Sequence, residues 1–487
     1  MTASTVALAP GPVTGPGVGA PAEILTPTLR ELTDRAARAD YDRWLSSTAS
    51  AGGCRRPVQL RGEVHDLDAR TGEILTSFHT GPEPDGVIYK ACGDRRASVC
   101  PACAETYRRD AYQLIRAGMA GGKGDVPESV AAHPCVFATF TAPSFGLVHT
   151  RRANPAGRIL RCRPRRIPEY CPHGCELRCR RIHKDGEACL GKPLCPDCYD
   201  YNAAVVWNAH APELWRRTMI GLRRRLDRIA KAHSTEVKVS YAKVAEFQTR
   251  GMVHFHALIR LDGHDRHDPA AIVDPPPCVT AQDLAEGIRA VAGFTWFATV
   301  GHPARPDGWT IGWGAQLDVR TVSRAPAGEV TDGHVASYLA KYATKSTETV
   351  GGVPGRITLA NLHHHANPRS HHGRLIRAAW HLGGHDHDDF KALRRWAHML
   401  GFRGHFITKS RRYSVTFKLL RTARADWRRR RHRTAEHTDE ETTLVVGLLS
   451  YAGSGWRTTG DALLALTAAA KAREHDRTAR EEITTTA

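Results

Sequence analysis

Two stretches of the chain alternate apolar and polar positions with a period near two, VKVSYAKVAEFQ (Val237–Gln248) and VHFHALIRL (Val253–Leu261). The four residues TRGM lie between them, so the pattern predicts two strands paired as an antiparallel hairpin. The apolar run Val136–Thr141, closed by Pro143, predicts a buried strand, and Gln316–Val322 predicts another. A spacing of three and four predicts helices over Ala211–Ala232, Ala281–Ala298, His334–Glu348 with Asp332 as N-cap, and Phe390–Leu400. Pro-rich His264–Pro277 and the histidine-rich stretches His363–His372 and His381–Asp389 read as loops. Residues 1–25 are Pro, Gly, Ala and Thr without periodicity and are expected to be disordered, whereas the tail from Thr434 is helical only in patches. No internal repeat interrupts this order.

The 487 residues allow two or three domains, and 41% hydrophobic residues can supply their cores. The expected organisation is a tail over residues 1–25 and a cysteine-bearing module over 26–130. A main domain follows over 131–350 with a cysteine-rich insertion at about 160–200, then a basic extension over 351–433 and a tail over 434–487. The net charge is +19, and arginines cluster at Arg158–Arg166, Gly221–Arg228 and Trp427–Arg433. Guanidinium groups at this density suit phosphate backbones, so nucleic acid is the expected partner. No run approaches the roughly 20 apolar residues that cross a bilayer, and no secretory signal opens the chain. A cytoplasmic protein without membrane contact is expected, and in that reducing compartment the 13 cysteines read as zinc thiolates rather than disulfides.

The hairpin carries the chemistry. On a strand, His254 and His256 share one face, with Phe255 turned to the other. Antiparallel pairing sets Glu246 and Gln248, also two residues apart, beside them. Two imidazoles with a carboxylate or amide oxygen form a site for a divalent ion that keeps open positions, functionally Mg²⁺ or Mn²⁺. Farther along, YLAKYATK places Tyr338 and Tyr342 one helical turn apart, with Lys341 and Lys345 repeating that spacing. A phenol with a pKa of about 10 is a weak nucleophile at neutral pH. A metal that polarises a phosphate and a lysine that stabilises phenolate or phosphoryl oxygens supply what it lacks.

Cys92, Cys100 and Cys103, with Cys54 upstream, predict one four-thiolate zinc site. The segment from Cys171 to Cys198 is over-supplied, with Cys171, Cys175, Cys179, Cys189, Cys195 and Cys198 competing with His173 and His183; one zinc is expected, with Cys195 and Cys198 its surest ligands and Cys171 and Cys179 the others. Both are read as structural Zn²⁺ sites. Cys135, Cys162 and Cys278 read as core or incidental thiols.

These stretches resemble the HUH endonuclease superfamily, and most closely the RepSA-type replication initiators of actinobacterial plasmids and integrative conjugative elements. FATFTAPSFGLVH is similar to the first motif, VHFHALIRL to the His-hydrophobic-His motif, and YLAKYATK to the third in its two-tyrosine form. The resemblance spans about Phe137–Lys345 in the family's order. It implies an α+β fold: a five-stranded antiparallel sheet with helices on one face, joined here to zinc-binding modules and an α-rich C-terminal region. It also implies nicking of one strand at a replication origin, a 5′-phosphotyrosyl intermediate, and strand transfer between two tyrosines during rolling-circle replication.

Two other functions compete. A two-tyrosine transposase shares the fold and chemistry, and a zinc-dependent DNA-binding regulator shares the arginines and thiols without the chemistry. A zinc deaminase is excluded because no histidine is followed two positions later by Glu. GMAGGKGD lacks the spacing and hydroxyl of a phosphate-binding loop, so no nucleotide cofactor is expected. Strand separation and synthesis then fall to a host helicase and polymerase.

Overall fold

The computed structural model describes residues 26–322, 332–343, 353, 355–432 and 443–485. It divides into two compact units, residues 92–443 and residues 1–91 with 444–487.

The larger unit is built on five antiparallel strands: β1 (Cys135–Phe140), β2 (Val237–Phe247), β3 (Val253–Gly263), β4 (Leu317–Thr321) and β5 (Ile407–Lys409), in the order β4-β1-β3-β2-β5. The expected hairpin is its centre. Val237 pairs with Gly263 and Phe247 with Val253, and β1 pairs with the other edge of β3, setting Thr139 opposite His256. The turn between β2 and β3 is tight and internal. Gly251 adopts φ of 77°, and a Cβ there would come within 2.6 Å of Leu375 Cδ1, so a residue without a side chain is needed. Buried Asn208 holds the turn from outside, donating to Gly251 O at 3.0 Å and accepting from Val253 N at 3.0 Å.

Residues of odd number on β3 face one layer and those of even number face the other. Phe255, Ala257, Ile259 and Leu261 pack with Leu214, Trp215 and Leu222 of the helix Tyr201–Ala232 and with Leu284 and Ile288 of the helix Ala281–Phe294. Leu258, with Ala242 and Val244 of β2, meets Leu114 and Ile115 of the helix Pro101–Ala120 and Ala336, Leu339 and Ala340 of the helix Asp332–Ala343. Helices therefore cover both faces, not the one face that the resemblance implies. The reason is that both sets of positions on the central strands carry apolar side chains, and each set must be buried. Each fully buried Leu, Ile or Phe contributes about 1.5–3 kcal/mol.

At the end of β3 remote from the turn, the even-numbered face is polar. Arg260 and Asp262, both fully buried, pair at 2.7 Å and 3.0 Å. Ser240 Oγ donates to Asp262 at 2.5 Å and His133 Nδ1 lies 2.9 Å from it. Arg260 also donates to the carbonyl of Gly118, which ties the helix Pro101–Ala120 to the sheet. Asp262→Ala would leave a buried guanidinium without its carboxylate. Its expected cost is about 3–5 kcal/mol, measured as a fall in the urea midpoint; a fall below about 1 kcal/mol would show that the network is not needed for stability.

On the opposite face Lys243 is buried, its Nζ 3.9 Å from the Phe255 ring centroid and 5.6 Å from that of Trp215. Burial pulls its pKa down to about 7. The unfolded chain binds a proton there up to about pH 10.4, so this lysine costs stability that is regained as pH rises from about 7 to about 10. Lys243→Met should therefore be more stable than the wild type at pH 7, with a difference that shrinks at pH 9.5. A constant difference across that range would contradict the assignment.

The smaller unit pairs Val58–Asp68 with Ile74–His79 and Ile88–Lys90, and adds Thr443–Ser454 on its other side. Arg35 ties its segments together, bonding Asp461 at 2.7 Å and Asp85 at 3.0 Å, while Asp85 also accepts from Trp44 Nε1 and the Tyr89 hydroxyl. The C-terminal region expected to be α-rich thus contains a twelve-residue strand before its long helix.

Other elements shift. The expected helix Ala281–Ala298 ends at Phe294 and gives way to the strand Trp296–Ala298. The expected loop His363–His372 contains a helical turn, and the helix His371–Leu382 begins within it, capped by Ser370. Phe390–Leu400 is reduced to Ala392–Arg395 and one 3-10 turn. Among the described residues no helix is long and apolar enough to cross a membrane.

Candidate active site and metal-ligand clusters

The even-numbered face of the hairpin near its turn carries the two histidines, as the alternation predicts. Their rings lie 4.6 Å apart, centroid to centroid. Glu246 is opposite His254 in the register, and its carboxylate reaches His256 Nε2 at 3.4 Å. The other nitrogen of His256 lies 3.2 Å from Thr139 Oγ1, which leaves Nε2 as the atom aimed at the carboxylate. Phe137 stacks on the same ring at 5.9 Å. Neither Thr139 nor Phe137 was singled out from sequence. The signal was present in FATF, where alternation along β1 places both on the histidine face.

His254 Nδ1 is buried and has no hydrogen-bond partner. Burial, with smaller contributions from His256 and Arg250, pulls its pKa down to about 3, so the ring is a neutral ligand at physiological pH. A buried imidazole nitrogen with no partner, beside a second imidazole and a carboxylate, fits a divalent ion. The three residues are nevertheless less tightly gathered than the thiol clusters described below, which bring their donor atoms within 4.8 Å of one another. The side-chain oxygen of Gln248 accepts from Arg250 Nε at 3.0 Å in the turn.

Tyr338 comes to this face from the helix Asp332–Ala343. Its ring is edge-on to His256 at 5.5 Å and to Phe137 at 6.1 Å, and it remains 42% exposed and open to solvent. Lys341 is exposed on the following turn. Tyr342 is also on this helix, but its side chain, like the whole of Lys345, lies outside the described residues.

Beyond the hairpin turn a cleft of about 520 Å³ opens between Ser144–Arg151 with Arg163 on one side and Gln248–Arg250 with Gly314–Gln316 on the other. Arg250 is fixed at its base, donating to the carbonyls of Ala142 and Pro143 at 2.8 Å and 2.9 Å.

Residues 40–470 match the model of a family described as "Replication initiator protein, pSAM2". The chain belongs to the RepSA family. A "Replication initiator protein" of Streptomyces ambofaciens is 43% identical over 479 residues, covering 95% of this chain and 97% of that protein. No solved structure matches the chain.

In this RepSA-family chain the thiols gather as well. Cys92 and Cys103 lie 3.6 Å apart, sulfur to sulfur, close to the edge of about 3.8 Å that two zinc–sulfur bonds of about 2.3 Å give in a tetrahedron. Cys100 is buried beside them in sequence, and Cys54 is buried in the smaller unit. Within the larger unit two further four-residue sets could hold a metal such as zinc: His149, Cys162, Cys179 and His183, and Cys171, His173, Cys195 and Cys198; a smaller set of His183, Glu187 and Cys189 shares His183 with the first. This corrects the single site read from sequence. Cys179 stands apart from Cys171, Cys195 and Cys198, and Cys162 is a member of a cluster rather than an incidental thiol. The bridge that pairs Arg163 with Cys179 folds Cys179 back toward Cys162.

Proposed function

We propose that this RepSA-family protein is a replication initiator that nicks one DNA strand at an origin through a covalent tyrosine–DNA intermediate, as in HUH endonucleases, and so starts rolling-circle replication. The observation that carries the proposal is the meeting of Tyr338 with His256 on the face of a central antiparallel hairpin that also bears His254 and Glu246. His254, His256 and Tyr338 were picked out by two motifs on separate segments, and Glu246 by the strand register. Family membership and the 43% identical replication initiator support the same reading.

His254, His256 and Glu246 would hold a divalent ion, Mg²⁺ or Mn²⁺, which when bound supplies charge to offset the phosphoryl oxygens in the transition state. Thr139 and Phe137 fix the His256 ring so that Nε2 faces inward. Tyr338 or Tyr342 is the nucleophile: its phenolic oxygen bonds to phosphorus as the bond to the 3′ oxygen breaks, and the freed 3′ hydroxyl leaves with the other strand end. Lys341 and Lys345 would stabilise phenolate or phosphoryl oxygens. The arginine-lined cleft next to the hairpin turn would receive the flanking strand. Origin DNA is the partner, and host helicase and polymerase would supply unwinding and synthesis. The knuckle containing Cys92, Cys100 and Cys103 would hold a structural zinc.

A supercoiled plasmid carrying the cognate origin tests this. Purified protein with Mn²⁺ should convert it to open circles, EDTA should prevent the conversion, and a plasmid without the origin should stay supercoiled. Tight origin binding with no conversion in Mn²⁺ or Mg²⁺ would leave a DNA-binding regulator and reject the nuclease.

A further inference from the structure

Residues 149–198 have little regular structure: strands of two residues, Arg152–Ala153 and Ile159–Leu160, and a few isolated bridges. The core of the sheet takes in Val148 and Tyr199 at its two ends and no side chain between them. Yet Cys162, Cys171, Cys179 and Cys195 in this segment are buried. A segment of fifty residues that buries thiols but has no apolar core needs another source of folding energy.

We infer that residues 149–198 form a cross-braced module holding two zinc ions, one on His149, Cys162, Cys179 and His183, the other on Cys171, His173, Cys195 and Cys198. Each set brings four donor atoms within 4.8 Å of one another. Tetrahedral zinc, with bonds of about 2.3 Å to sulfur and about 2.0 Å to nitrogen, has sulfur–nitrogen edges of about 3.5 Å. The first set shows 3.5 Å from Cys179 Sγ to His183 Nε2 and 4.0 Å from Cys162 Sγ to His149 Nδ1. The second shows 3.2 Å and 3.8 Å from His173 Nδ1 to Cys198 Sγ and Cys195 Sγ.

The surroundings match metal ligation too. The buried ring of His183 presents Nε2 to Cys179 while Nδ1 lies 2.9 Å from Glu187 Oε2. A carboxylate behind the far nitrogen is the usual arrangement for a zinc-bound imidazole, because it fixes the ring and its tautomer. The backbone N–H of Thr150 donates to Cys162 Sγ at 3.1 Å, a bond that helps orient a ligating sulfur.

The order of ligands along the chain is two for the first ion, two for the second, two for the first and two for the second. Each ion therefore closes a loop that contains ligands of the other, and neither half can order alone. The braced segment carries one wall of the cleft, from Val148 to Arg151 with Arg163, Leu190 and Gly191. The module thereby gives a fixed shape to chain that otherwise lacks a core.

Zinc content per full-length chain, measured by elemental analysis without DNA, tests the inference independently of any nicking activity. Cys162→Ser and Cys171→Ser should each lose at least one zinc, and the double variant should lose two. Cys278→Ser, outside every such set, should lose none. Should the variants precipitate, X-ray absorption at the zinc edge of wild type freed of ions on the hairpin histidines decides, because among the thiol clusters the sets of this module add imidazole nitrogen to the sulfur shell. Full zinc content in Cys162→Ser, loss of only one zinc in the double variant, or an all-sulfur shell would overturn the module.

Discussion

The double variant Tyr338→Phe, Tyr342→Phe is expected to form no covalent adduct with single-stranded origin DNA. Phenylalanine keeps the ring that packs edge-on to His256 and Phe137 and removes only the oxygen that attacks phosphorus, so fold and DNA affinity should be preserved. Each single variant should retain measurable first-strand cleavage, because two tyrosines one turn apart on a helix can reach one phosphate. Each should fail in the second transfer, in which the other tyrosine attacks the regenerated origin and releases a circle. If one single variant is inert and the other fully competent through circle release, only one tyrosine is a nucleophile and the other is packing.

His254→Ala with His256→Ala is expected to lower the nicking rate at least about 100-fold. Charge stabilisation by a bound ion is worth several kcal/mol, and each 1.4 kcal/mol or so is tenfold in rate. Duplex binding should change little, since affinity resides in arginines elsewhere and the ion serves the transition state. Gel-shift titration beside a nicking time course separates the two effects. Parallel loss of binding and nicking would assign the histidines a structural role, and unchanged nicking would remove the metal from them.

The hairpin was legible because its signal is local: alternation marks the strands, a short glycine-bearing turn joins them, and pairing then fixes which residues share a face. The place of Glu246 opposite His254 followed from that register, whereas Gln248 lies just beyond the last ladder pair, where its side-chain oxygen accepts from Arg250. The helix Tyr201–Ala232 begins ten residues before the expected Ala211 and runs through Pro212. An interior proline costs about 3 kcal/mol, but Trp207, Leu214 and Trp215 on either side of it are buried against the sheet, and that packing outweighs the local penalty. The strand Thr443–Ser454 escaped for a different reason. Its partner Val58–Asp68 lies almost four hundred residues earlier, and no local pattern announces so distant a pairing.

The candidate metal ligands divide in the same way. The Cys-x-x-Cys knuckles at Cys100 and Cys195 show in the sequence, but His149 and Cys162 belong to a set whose members are brought together only by the fold. The six thiols from Cys171 to Cys198 exceed the four ligands of one ion, and the fold places one of them, Cys179, with His149, Cys162 and His183.

Tryptic mass spectrometry of the protein after incubation with Mn²⁺ and a single-stranded origin oligonucleotide tests the central claim most directly. Cleavage after Lys341 and Lys345 puts Tyr338 and Tyr342 on different peptides, so the mass shift names the nucleophile. The expected result is an oligonucleotide attached through a 5′ phosphate to the peptide ending at Lys341 or to Tyr342–Lys345. No adduct, or an adduct on a peptide that contains neither tyrosine, would contradict the account.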